Sequence, residues 1–370
     1  MILKKNKVVL IILILLIFIV SFVGAKGEVI ENLDVPIGVG VDSEANLSNR
    51  SYIISMLIQT FEGGNKTSSN VITGEAKSFG ETREERQLKE SKKIVLGLIR
   101  VFFFGEGASR NGIKTFIDVN LNNPDLNDRA VCVVCKGNAR DMLQHKVKGY
   151  TSSAEYVEGM VKNLEQFNFF KQQYTVLDMI VRVDAEGRNL LLPYIELKDG
   201  EIQTTGLAIF NKDKMIGKAD IKDTKMINLL KENNVKGMLT LQQSPKKFIN
   251  FYAKSKRKAN CYMENGKYKF IIDLKLTGSI IGNELYENMN TEPKKVKEFE
   301  RDIEKSTEQL CNETIGKIKN NYKVDVLDLG EVAAAKYGRG KGIDWNDVVT
   351  KSDIQVRVHA KVSDQGRGDY

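Results

Sequence analysis

An unbroken apolar run directly behind a basic N-terminus constrains this chain more than any other feature. Residues 1–7 carry Lys4, Lys5 and Lys7, and residues 8–23 are Val, Ile, Leu and Phe except for Ser21. A basic flank followed by an apolar stretch of this length is the pattern of a secretory signal or a membrane anchor, with the lysine end cytoplasmic and everything after Lys26 exported. Val23, Gly24 and Ala25 offer small residues for cleavage, whereas a run longer than the usual ~7–15 residues of a signal core favours retention. Either outcome puts the function outside the cytoplasm.

Residues 1–25 take three lysines and no acid with them, so the formal charge of +8, from 56 Lys+Arg and 48 Asp+Glu, falls to about +5. With 28% charged and 42% apolar residues, the body is neither a disordered chain nor a polytopic membrane protein. The pattern predicts a mixed α/β (α+β) protein with a signal or anchor segment at 1–25 and an N-terminal α/β domain at 26–148. A small middle domain at 149–243 and a C-terminal domain at 244–370 follow.

Within the first domain, residues 35–42 and 51–61 read as a hairpin joined by a polar turn at 42–49. Residues 63–82 read as a loop, and 83–95 as a helix with Leu88, Ile94 and Val95 on one side. A buried run at 101–104 precedes a helix at 108–119, a turn at 120–128, a strand at 129–136 and a helix at 138–143. In the middle, Tyr156, Val157, Met160, Leu164 and Phe167 predict a helix over 153–170 capped by Ser153, then strands at 190–197, interrupted by Pro193, and at 202–210.

The last domain has the clearest local signal. Asn265-Gly266 supplies the two positive φ values of a type I′ turn between alternating strands at 248–264 and 268–281. Pro293 then opens an amphipathic helix of about seven turns through Val296, Phe299, Ile303, Leu310, Thr314 and Ile318. A closing strand at 354–362 completes an expected antiparallel sheet packed by the long helix.

Chemistry-bearing residues are sparse. Cys132 and Cys135 are three apart on a strand and so point to opposite faces, which suits buried thiols better than a redox pair. The chain has two His, too few for a metal site with them, and no phosphate loop or nucleophile elbow. His359 sits in an alternating strand. No cofactor, metal or catalytic residue is expected, and the rival reading is an exported thiol-dependent enzyme or redox protein using Cys132 and Cys135.

Lys254, Lys256 and Lys258 share one face of a strand, able to meet anionic headgroups or an acidic loop of a partner, or simply to be solvated. A nucleic-acid partner is excluded by export, modest charge and the lack of interleaved aromatics. Gly338-Arg-Gly-Lys-Gly342 reads as a flexible loop, and Trp345, the only Trp, as a partner anchor or a core residue.

Three pieces in order, Gly38-Val-Gly-Val-Asp42, Gly206-Leu-Ala-Ile-Phe-Asn-Lys-Asp-Lys-Met-Ile-Gly217 and Val324-Asp-Val-Leu-Asp-Leu-Gly330, resemble the C subunits of spore germinant receptors, the Ger(x)C family. The resemblance runs from about Lys26 to Gly366. It implies a three-domain, non-enzymatic, membrane-tethered subunit of a nutrient receptor. That receptor lies in the spore inner membrane with integral-membrane A and B subunits, which recognise the small molecule, so no ligand site is carried onto this chain. Lys26 occupies the family's lipid-bearing Cys position and Gly27 the following Trp position. Lysine has no sulfur for a thioether, so lipidation there is excluded and a retained apolar helix would take its place on the outer face of the membrane. If the segment is cleaved, only the partners would hold the protein there.

Overall fold

The structure is a computed structural model that describes residues 2–22, 32–44, 51–62, 66–289 and 291–364. Lys26, Gly27 and most of the expected 42–49 turn lie outside the described residues. The chain opens with helix α1 (Ile2–Phe22), whose described side chains from Leu10 to Val20 are 53–63% exposed. Among the described residues, no helix is long and apolar enough to cross a membrane.

The expected hairpin forms from β1 (Leu33–Ser43) and β2 (Tyr52–Glu62), and β2 pairs onward with β3 (Lys66–Ala76) where a loop was expected. That strand is Lys-Thr-Ser-Ser-Asn-Val-Ile-Thr-Gly-Glu-Ala, an edge with so few apolar residues that it carries no alternation to read. Helix α2 (Phe79–Gln87) starts earlier than the apolar spacing suggests, because Ser78 and Glu81 form a reciprocal capping box. Its buried residues are Thr82 and Arg86, whereas Leu88 is 87% exposed.

The short β4 (Lys93–Ile94) joins β1, and the central parallel strand β5 (Val101–Gly105) is buried along its whole length. The helix expected at 108–119 is two, α3 (Glu106–Asn111) and α4 (Lys114–Leu121), broken at Gly112 with φ 109°. β6 (Val131–Cys135) and α5 (Ala139–Gln144) follow as expected.

Helix α6 (Ser153–Asn163) stops seven residues before the expected end at 170, with a 3-10 turn at Leu164–Gln166, and its cap is Ser152, which accepts from the Glu155 amide at 3.1 Å. Ser153 is buried and donates to the Leu143 carbonyl instead, at 3.0 Å. α7 (Val176–Val183) was not expected. β7 (Leu191–Lys198) continues through Pro193, which lies opposite Leu207 of β8 (Glu201–Asn211), and β9 (Lys214–Asp220) closes the sheet.

These strands form one nine-stranded sheet in the order β3-β2-β1-β5-β6-β7-β8-β9, with β4 beside β1. The strands expected in a separate middle domain are thus hydrogen-bonded onto the first sheet, through Val134 opposite Tyr194 and Cys135 opposite Ile195. A bulge between Pro36 and Gly38 switches the inward positions of β1, so that Val35 and Ile37 enter one core while Val39 and Val41 enter the other.

Helix α8 (Ile221–Lys231), also unexpected, is buried almost all round and leads into the second sheet, β10-β11-β12-β13. β10 (Lys236–Ser244) pairs with β11 (Lys247–Glu264), and β11 with β12 (Lys267–Asn283), through the Asn265-Gly266 turn with φ 52° and 75°. The arms are 18 and 17 residues, longer than the alternation suggested.

Helix α9 (Pro293–Lys317) runs as expected, and α10 (Leu329–Tyr337) and α11 (Trp345–Lys351) lead to β13 (Asp353–Asp364). β13 pairs parallel to β12, not antiparallel, because the chain crosses through three helices and re-enters in the same direction. One core runs from Val101 and Phe103 of the first sheet to Phe251, Ile272 and Phe299 beside the second.

The outer edge of β13 is closed by α9. Glu308, Glu304 and Glu300 accept from the amides of Val358, Ala360 and Val362 at 2.9, 2.8 and 3.0 Å. Four helical residues rise about 6 Å and two strand residues about 6.6 Å, so one carboxylate per helical turn keeps step with every second amide of the strand. Replacing Glu304 by Ala is expected to cost about 1 kcal/mol in denaturant unfolding, and Glu304→Gln, which keeps an acceptor oxygen, less.

Candidate functional site

The three sequence pieces that stand out all meet close backbone or buried polar contacts. In the first, a Cβ on Gly38 would lie 2.9 Å from Ala154 Cβ, and one on Gly40 2.9 Å from Leu143, so these glycines let α5 and α6 press onto β1. Asp42, on the same side, accepts from the Ala139 and Arg140 amides at 2.7 and 3.0 Å and caps α5. In the second, Gly206 has φ 154° and its backbone nearly touches the Ala219 carbonyl.

The third piece builds a buried ionic knot. Asp325 is fully buried and accepts from the Leu327 and Gly330 amides at 2.9 and 2.6 Å. Asp328, held at φ 55° ahead of α10, accepts from Arg182 of α7 at 2.9 Å and Lys231 of α8 at 2.6 Å. Arg257 of β11 donates to the Leu230 and Leu327 carbonyls at 2.6 and 2.9 Å, and Asn189 reaches the Asp325 carbonyl at 2.9 Å. Helices α7 and α8, strand β11 and the segment before β7 are therefore tied through one loop.

Burial alone would raise the Asp328 pKa, but the Lys231 ammonium and Arg182 guanidinium outweigh it and hold the carboxyl at about 2. Asp325 has no such cation in contact, and burial pushes it up to about 6 against the two amides that favour its charge.

Trp345 belongs to this region and not to an exposed surface. It is 4% exposed, its indole N–H donates to Glu186 at 2.9 Å, and its ring lies 5.6 Å from Tyr268. The 338–342 loop is tied to the same glutamate, whose carboxylate accepts from the Gly340 amide at 2.8 Å.

Lys254, Lys256 and Lys258 are exposed on the outer face of β11. Their cross-strand neighbours extend the positive field: Lys236 lies opposite Lys254, and Lys275 opposite Lys256. Arg357 and Lys361 continue it on β13, and Asp273, opposite both Lys258 and Arg357, is the one carboxylate placed among them. Like charges directly opposite on a sheet oppose folding, so this face is arranged at some cost to stability.

All four thiols are buried. Cys132 and Cys135 enter different cores on opposite faces of β6, and burial pushes both pKa values well above the ordinary thiol range. Cys261 and Cys311 are likewise pushed up, to about 11 and about 12. Among the described residues, no group of His, Cys, Asp and Glu is placed to hold a metal.

Residues 26–197 match the family described as spore germination protein N-terminal domain, and residues 205–366 the one described as spore germination B3/GerAC like, C-terminal. The chain belongs to the Ger(x)C family of spore germination proteins. It is 22% identical over 350 residues to spore germination protein GerQC of Bacillus cereus, covering 92% of this chain and 94% of that one. It is also 23% identical over 319 residues to YndF of Bacillus subtilis strain 168, covering 82% and 76%. The crystal structure of the GerBC protein shares the fold, with a TM-score of 0.58 at 17% identity, over 88% of this chain and 97% of that one. The seam between the two matched segments falls at the turn joining β7 to β8, inside the nine-stranded sheet.

Removing the anion of the knot leaves two buried cations unpaired, so Asp328→Asn is expected to cost about 3–5 kcal/mol in unfolding free energy. Because the folded pKa of Asp328 lies below the unfolded value, its stabilisation is complete above about pH 4 and lost as pH falls toward 2. Asp325 has the opposite sign: its contribution is present below about pH 4 and lost as pH rises through 6. Unfolding curves from pH 2 to 7 check both, since Asp328→Asn should reduce the acid-side loss and leave the loss near pH 6.

Proposed function

We propose that this chain is the membrane-anchored C subunit of a nutrient germinant receptor, working beside integral-membrane A and B subunits at the outer face of the spore inner membrane. Its role is non-catalytic: it holds and couples its partners. The observation that carries this reading is the family match on both segments of the body, 26–197 and 205–366, together with relatives named as spore germination proteins. Anchoring by residues 1–25 is supported by the exposed apolar residues of α1, which suit hydrocarbon and not water, and by Lys26, which cannot carry a thioether lipid. Burial of all four thiols supports the non-catalytic part.

The lysine face of β11 supplies the interaction surface in this reading, opposed to an anionic counterpart at the membrane. Trp345, buried at the knot, holds the C-terminal segment in place behind it.

Spores lacking this chain are expected to germinate in nutrient no faster than in buffer, with the response restored by the wild type and by a Cys132→Ser, Cys135→Ser double variant. Restoration by the wild type but not by the double variant would favour the thiol-enzyme reading, and an undiminished response without the chain would remove the receptor role. In intact mass and detergent partition of spore membranes, a full-length, detergent-requiring form is the expected result. A soluble form starting at Lys26 would leave anchoring to the partners.

A further inference from the structure

Between α2, α4 and the open face of the first sheet lies a cavity of about 330 Å³. Its walls are mostly apolar, with Ile54 from β2, Phe102 from β5 and Phe116 from α4 among them. Asn120, Asn122, Asn123 and the exposed Arg83 also line it, and Val119, 40% exposed, lies on its lining toward solvent. Arg86 also lines it, at 3% exposure.

This arginine differs from the other buried ones. Arg182 has Asp328, and Arg257 has two carbonyls, but Arg86 has one hydrogen bond among the described residues, from Nη1 to the Ile54 carbonyl at 3.3 Å. Its Nε is buried with no partner. A guanidinium carries five donors, and burying a cation with so few acceptors is costly. Burial and the nearby Arg83 guanidinium lower the Arg86 pKa to about 10, which leaves it charged at neutral pH.

No Asp or Glu is among the residues lining the cavity, so no anion there neutralises Arg86 and none would pair with an ammonium group. The complementary ligand is small, apolar over most of its surface and singly negative at one end; a zwitterion would bury its ammonium unpaired. We propose that this cavity binds a small monocarboxylate with a compact apolar body, its carboxylate paired with Arg86. The site is separate from the knot and from the lysine face, and it does not depend on the receptor reading.

The test is calorimetric titration of the full chain, held in phosphatidylcholine nanodiscs, with 4-methylpentanoate, leucine and 4-methylpentan-1-ol, using protein-free nanodiscs as blank. The carboxylate is expected to bind roughly tenfold or more tightly than the alcohol, which lacks the charge-assisted hydrogen bond, and than the zwitterion, whose ammonium would be buried unpaired. Arg86→Gln should remove the preference over the alcohol, and Val119→Phe, a substitution at a partly exposed position, should obstruct the cavity and weaken carboxylate binding while leaving the melting temperature near wild type. If Arg86→Gln fails to fold, the ligand series and Val119→Phe decide alone. No carboxylate binding to the wild type, equal binding of all three compounds, or unchanged binding in Val119→Phe would overturn the proposal.

Discussion

A carboxylate buried between two cations, each from a different helix, holds the two sheets in register. Asp328 meets Arg182 across 146 residues of sequence and Lys231 across 97. Desolvating three charges is expensive, and the arrangement is favourable only when all three are in place with their remaining donors satisfied. The positions of α7, α8 and the loop ahead of α10 are therefore set together. Arg257 adds β11 to the same loop through carbonyls, and Asn189 adds the segment before β7. Such a knot specifies one relative placement of the sheets, which apolar contact alone, being non-directional, does not.

Charge is used in two ways in this protein. Inside, each cation of the knot is matched to a carboxylate or carbonyl, and Glu300, Glu304 and Glu308 spend their negative charge on strand amides. Outside, on the far face of the second sheet, lysines stand opposite lysines with one aspartate among them. A surface selected only for stability would alternate signs across strands. A modest net charge thus conceals a strongly one-sided distribution.

Much of the fold was legible in local sequence. Asn265-Gly266 carries its turn geometry in two residues, Pro293 marks the start of α9, and the apolar runs at 101–104 and 131–135 can only be central strands. What escaped was determined by distant partners. β3 is a strand because β2 offers it a ladder, not because of its own polar residues. α2 turns Thr82 and Arg86 inward, so its apolar spacing pointed the wrong way, and the direction of β13 depends on how many helices intervene. The lysine face was visible on β11 as simple alternation, but its extension to Lys236, Lys275 and Arg357 needed the register. Of the knot, the sequence showed only that residues 324–330 formed a distinctive piece; Arg182, Lys231 and Arg257 gave no sign of converging on it.

The interruption of the first sheet by the seam between the two matched segments bears on how the chain assembles. A chain made from its N-terminus presents β8 two residues after β7 and β9 two residues after β8, so the first sheet has all its strands once Asp220 has emerged. The knot closes later still, once Asp328 has emerged to meet Arg182 and Lys231. Most of the polypeptide must therefore be kept from pairing with other chains before it can reach its final form, and a cut at the turn between β7 and β8 yields two pieces that each carry an unfinished edge.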